Sequence, residues 1–193
     1  MNPTPGTRFH GVAVGLVTSL DDPDKLTRVA VKLPWLADDI EVWARLAVPV
    51  AGNGRGIFWL PEVGDEVLVA FGHGSPDAVF VLGGLYNGKD VPPCPEDQLT
   101  DRRVLRSRSG AEIALVDKDG AEAVEIRDKS GNNLITVDTA SNTITLRSDA
   151  EIKLVAAKKL SLGDGGADLE VRCAKFTVQC TKLDVNDGKL EVV

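Results

Sequence analysis

No proline occurs after residue 95 of this 193-residue chain, although ten occur up to that point. Proline cannot donate to a β-ladder, so the proline-free half can pair without interruption. Aromatics thin out at the same place: eight of the nine lie before residue 95, leaving Phe176 alone beyond it. Cysteine is sparse and odd in number (Cys94, Cys173 and Cys180), which argues against a disulfide framework. The only histidines, His10 and His73, form no H-x-H or H-E-x-x-H spacing, so neither a metal nor a cofactor is expected. Lysine and arginine, 22 together, are outnumbered by 29 acidic residues, for a net charge of −7. That balance argues against a nucleic-acid partner, whose phosphates need basic residues to displace their counterions. No apolar run approaches the ~18 residues of a membrane-spanning helix. Residues 1–8 are polar and Pro-rich and lack the charged-then-apolar order of a signal peptide. The expectation is folding in the cytoplasm, with any export by another route.

What is present reads as all-β. The hydrophobic fraction is 43% and the charged fraction 26%, as in folded soluble proteins. Short Val- and aromatic-rich runs occur at 11–17, 29–33, 42–48, 57–60, 67–71 and 79–82, separated by turn signals at 21–24, 51–56, 61–65 and 72–77. Five or six such strands predict a small closed barrel of the oligonucleotide-binding (OB) type, because closure removes exposed edges. The segment NGKDVPPCPEDQLT, 87–100, reads as a linker. A domain boundary is therefore placed near residue 95, giving a barrel domain over 1–95 and a second domain over 96–193.

An OB-like barrel raises nucleic-acid binding, for which the platform candidates are Trp35, Trp43, Trp59 and Arg45. Acidic residues flank them, and a role in barrel packing or subunit contact is the favoured reading. The loop GNGRG, 51–56 with its preceding alanine, lacks the Lys-Ser/Thr ending of a phosphate loop and reads as a hairpin. Arg102, Arg103, Arg106 and Arg108 read as a solvated face. No nucleophile, acid pair or triad stands out, so no catalytic residue is assigned and an enzyme is not expected.

The C-terminal half contains a repeat. Residues 169–193 divide into LEVRCAK, FTVQCTK, LDVNDGK and LEVV. Apolar residues occupy the first and third positions, as in Leu169 and Val171, Phe176 and Val178, Leu183 and Val185. This is the period of a strand rather than the first-and-fourth pattern of a coiled coil. Going backward, the pairs Ile144/Leu146, Ile152/Leu154 and Leu160/Leu162 recur eight residues apart. Still earlier, Ile113/Leu115, Val124/Ile126 and Ile135/Val137 are separated by KDG and KSGNN, which are hairpin-turn chemistry. Residues 104–147 thus predict an antiparallel meander, and 144–193 a β-helix or β-prism.

A unit of this size cannot bury its own apolar face. One chain can coil as a triangular solenoid, or three chains can intertwine. Seven segments give a solenoid barely two turns and a meagre core, whereas intertwined they give seven layers of three strands. At ~4.8 Å per layer the needle is roughly 35 Å long, near the ~30 Å of a bilayer's hydrocarbon core. The expected trimer core is Ile144, Leu146, Ile152, Leu154, Leu160, Leu162, Leu169, Val171, Cys173, Phe176, Val178, Cys180, Leu183 and Val185. Cys173 and Cys180 would form rings of three thiols, read as small hydrophobes. Asp187 breaks the repeat, and N-D-G at 186–188 signals a turn.

The passage WARLAVPVAGNGRGIFWLPEVGDEVLVAFGHGSPDAVFVLGGLYNG, Trp43 to Gly88, resembles the barrel domain of phage baseplate-assembly protein V and the VgrG family. TRVAVKLPWL, 27–36, is similar to that family's second strand. The succession G-x-x-x-P-x-x-G-D-E-V, then G-S-P-D and G-x-x-Y-N, is not a generic barrel pattern. The resemblance implies a homotrimeric spike at the centre of a contractile injection machine, assembled in the cytoplasm and piercing a membrane transiently. It also implies hub and tube proteins as partners; with no segment left for a fused hub domain, the protein V type is expected. Some family spikes hold iron through tip histidines in H-x-H, a motif the ending LEVV does not carry. That blunt apolar end, Leu190, Val192 and Val193, is expected to contact a PAAR-type tip protein. The competing expectation is a monomeric barrel-plus-solenoid module that binds carbohydrate or nucleic acid.

Overall fold

The computed structural model describes residues 8–36, 40–163 and 168–181. The chain forms two compact units, residues 1–147 and 148–193.

The first unit opens with a closed barrel of five strands: β1 (Val12–Ser19), β2 (Val29–Lys32), β3 (Glu41–Leu46), β6 (Glu66–Phe71) and β7 (Val79–Gly84). Around the barrel the order is β1-β2-β3-β7-β6. All pairings are antiparallel except β3 with β7, which is parallel and closes the barrel. This is the Greek-key order of an OB fold. Alternation decides what enters the core: Val17, Val29, Val31, Leu33, Ala44, Val67, Val69, Val79 and Val81 are buried together, while Val12 and Val14 face outward. Gly15 is inward and buried, and a methyl group there would collide with Val31, so this strand passes close to its neighbour only as glycine.

The run 57–60, expected to be a strand, is not one. The barrel's positions are filled without it, and a two-residue-per-strand hairpin, β4 (Ala51–Gly52) and β5 (Arg55–Gly56), precedes it. Ile57 keeps one backbone bond to Val50, and Phe58 and Trp59 stand exposed. Pro61 then cannot donate to a ladder.

Between β1 and β2 the chain turns on Asp22. Its carboxylate accepts the amides of Asp24 (3.1 Å), Leu26 (2.9 Å) and Arg28 (3.1 Å) and pairs with the Arg28 guanidinium at 2.7 Å. Lys25 and Thr27 lie in the left-handed region, at φ 55° and 59°.

After the Pro-rich connection come β8 (Arg102–Arg106), β9 (Glu112–Val116), β10 (Ala123–Arg127), β11 (Leu134–Asp138) and β12 (Thr143–Arg147). They form an antiparallel meander in the order β12-β11-β10-β9-β8, over nearly the span read from the sequence. The connecting turns hold the residues the hairpins require, with Gly120 and Gly131 both at φ 72°.

In the second unit, the described residues 148–163 and 168–181 carry no strand pairing within the chain and are exposed, apart from half-buried Ser148. Among the described residues, no helix is long and apolar enough to cross a membrane.

Candidate self-association face

The meander's register sorts its side chains into two faces, because directly paired residues and their i±2 neighbours share a side. One face carries two rows that cross all five strands. The first is Leu105, Ile113, Ile126, Ile135 and Leu146. The second begins at Arg103 and continues through Leu115, Val124, Val137 and Ile144. All nine hydrophobic residues are open to solvent, from 40% for Val124 to 74% for Ile144. Single exposed apolar residues are ordinary, but a contiguous apolar surface marks an interaction site.

The opposite face is ionic. Glu112 is 3% exposed and gathers three arginines. Its Oε1 pairs with Arg102 (3.1 Å) and Arg127 (2.6 Å), and its Oε2 with Arg106 (2.6 Å). Arg102 also reaches Glu125 at 2.8 Å. Burial disfavours the Glu112 carboxylate, but hydrogen bonds and charges from Arg127 and Arg106 outweigh that and hold its pKa below the usual glutamate value. One face of the sheet therefore satisfies its polar groups internally, while the other is apolar apart from Arg103 at its edge, and its nine hydrophobic residues stay open to solvent among the described residues.

Two of the expected trimer-core residues, Ile144 and Leu146, lie on this face. Ile152, Leu154, Leu160, Leu162, Leu169, Val171, Phe176 and Val178 are all about half exposed or more within the single chain, and Cys173 and Cys180 are exposed thiols. Leu183 and Val185, the tip residues Leu190, Val192 and Val193, and Asp187 lie outside the described residues. Sequence reasoning assigned the core from the C-terminal repeat and left out seven residues of the meander face, Leu105 to Val137. Their alternation across three hairpins was the available signal.

The platform candidates of the barrel do not converge. Trp35 packs edge-on against Phe9 and Phe71, with centroids 5.2 and 6.1 Å away. The ring of Trp43 is covered by the Arg28 guanidinium at 5.8 Å, itself tied to Asp22 and Asp24. Arg45 lies over Phe80 at 5.8 Å. Trp59 stands on the exposed segment outside the strands. The loop 51–56 is a hairpin, with Gly54 at φ 65°.

Residues 13–86 match the model of the type VI secretion system/phage-baseplate injector OB domain, so the barrel is a domain of that class. Among curated proteins the chain is similar to the type VI secretion system spike protein VgrG1a of Pseudomonas aeruginosa, 29% identical over 61% of this chain and 20% of the relative. VgrG4b of the same organism is 34% identical over 59% of this chain and 14% of the relative. VgrG3 of Vibrio cholerae is 29% identical over 52% and 11%. The matched stretch thus spans a fifth or less of each of these relatives. The barrel and these relatives together make the chain similar to baseplate spike proteins of the VgrG type.

Proposed function

We propose that the chain is a structural spike component of a contractile injection baseplate, working as a homotrimer rather than as an enzyme. The barrel serves as the collar that docks on hub and tube proteins, and the 144–193 repeat as the needle, with a PAAR-type protein as its cap. The particle assembles in the cytoplasm and crosses the target membrane only on firing. The observation that carries the reading is the bare two-row apolar face of the meander.

Magnitudes support association but not through this face alone. All of its nine side chains but Ile144 are already about half covered, so finishing the burial contributes roughly 1 kcal/mol per residue, on the order of 27 kcal/mol over three chains. Two association events cost about 4–15 kcal/mol each. The terms are comparable, and the exposed positions from Ile152 to Val178 supply the surplus.

Light scattering of the purified chain over a range of concentrations tests the proposal. A stable mass near three times 20.5 kDa is expected. A monomer at all concentrations overturns the trimer and returns the chain to the single-chain binding module.

A further inference from the structure

The Arg102, Arg106 and Arg127 guanidinium groups line one cavity of about 530 Å³, whose other walls are Pro92–Pro95, Gln98 and Glu112. We propose that this cavity is a binding site for a small oxyanion, a phosphate or a carboxylate group. The inference does not depend on the spike reading.

Charge is the first argument. Three guanidinium groups meet two carboxylates here, Glu112 and Glu125, leaving a local positive excess in a chain of net charge −7. An anion repelled by most of the surface is drawn to this spot. Donor supply is the second. Each guanidinium has five N–H groups in a rigid fork. The bonds to Glu112 and Glu125 use Nη2 of Arg102, Nη2 of Arg127, and Nε and Nη2 of Arg106. Arg106 and Arg127 keep 42% and 39% of their side chains exposed, with donors left for a ligand arriving from the cavity side. Preorganisation is the third. Buried Glu112 fixes the three forks from the sheet side, so little side-chain freedom remains to be lost on binding. The proline wall adds apolar surface, which strengthens charge-assisted hydrogen bonds beside it. The volume falls in the usual range for small-ligand sites.

Isothermal titration of the full chain with inorganic phosphate, and separately with citrate, at fixed ionic strength tests the site. Saturable binding of one anion per chain is expected. Preference for phosphate identifies a phosphoryl ligand, and preference for citrate a carboxylate. Arg127→Gln is expected to weaken binding about tenfold or more, since charge-assisted bidentate contacts are the strong ones. Arg127→Lys, which keeps the charge but loses the fork, falls between and guards against a folding defect in the first variant. Arg108→Gln, outside the cavity lining, binds as the parent does. No saturable binding of either anion, or undiminished affinity in both Arg127 variants, overturns the proposal.

Discussion

Ile113 and Ile126 stand directly opposite each other on β9 and β10, in the middle of the meander's apolar face, and remain 47% and 43% exposed. Two isoleucines in cross-strand register support each other, yet both stay nearly half open to solvent among the described residues. The first prediction follows from that pair. Ile126→Asp places a carboxylate at the centre of each copy's face. Covering an unpaired charge is far more costly than leaving it in water, so sedimentation is expected to show monomer where the parent shows trimer. Thr145→Asp, on the opposite face of the same sheet, is expected to leave the mass unchanged. If both variants keep the parent's mass, the apolar face is not the contact.

The barrel and the meander were legible because both are two-sided sheets whose alternation shows in the sequence. Val67 and Val69 enter the barrel core with Phe71 packed against it, alternating with Leu68 and Ala70, while in the meander Ile135 and Val137 share one face with Thr136 on the other. The run Ile57–Leu60 was misread because apolar content without alternation does not separate a strand from an exposed segment. The ion cluster was read only as a solvated arginine run. Glu112 and Arg127 are far from Arg102 in sequence, and only the hairpin register brings them together. For 148–181 the repeat is plain in the sequence, but a strand needs a ladder partner to pair with.

The second prediction concerns that repeat. Val178 is 48% exposed in the single chain and occupies the third position of its heptad. Val178→Asp is expected to abolish trimer formation, because three carboxylates would meet about one axis. Thr177→Asp, one residue away and on the other side of the alternation, is expected to assemble. A soluble trimer of Val178→Asp, found by light scattering, removes this residue from the core.

Glu112 supplies the third prediction. Removing one partner of a fully buried ion pair costs roughly 3–5 kcal/mol. Two of its three arginines are partly solvated, and screening reduces the loss, so Glu112→Gln is expected to lower stability by about 2 kcal/mol in urea. The folded pKa lies below the ordinary value of 4.5, so the unfolded chain takes up the proton first. The gap between parent and variant is therefore full above that value, shrinks as the pH falls past it, and closes below the folded pKa. A gap that persists unchanged into strong acid means packing rather than charge is responsible.

Asp22 and the backbone of the β1–β2 turn give the fourth. The Arg28 side chain, ahead of the backbone amides of Arg28, Asp24 and Leu26, holds the Asp22 carboxyl well below the usual carboxylate range despite its burial. The same carboxylate spans the stretch in which Lys25 and Thr27 adopt positive φ, a conformation unfavourable for residues with a Cβ and worst for a β-branched one. Asp22→Asn keeps one acceptor oxygen, loses the charge, and turns an amide NH2 toward groups that are themselves donors. Hydrogen exchange of the Leu26 and Arg28 amides is expected to accelerate and the melting temperature to fall. Because the folded pKa is depressed, the carboxylate's contribution is complete above the ordinary aspartate value of 3.8 and is lost only as the pH drops through the folded value. Thr27→Gly relieves the strained φ while adding freedom to the unfolded chain, so it is expected to cost less than glycine at an unstrained loop position. If Asp22→Asn leaves the exchange of Leu26 and Arg28 as it was, the turn is held by its own backbone bonds and not by the carboxylate.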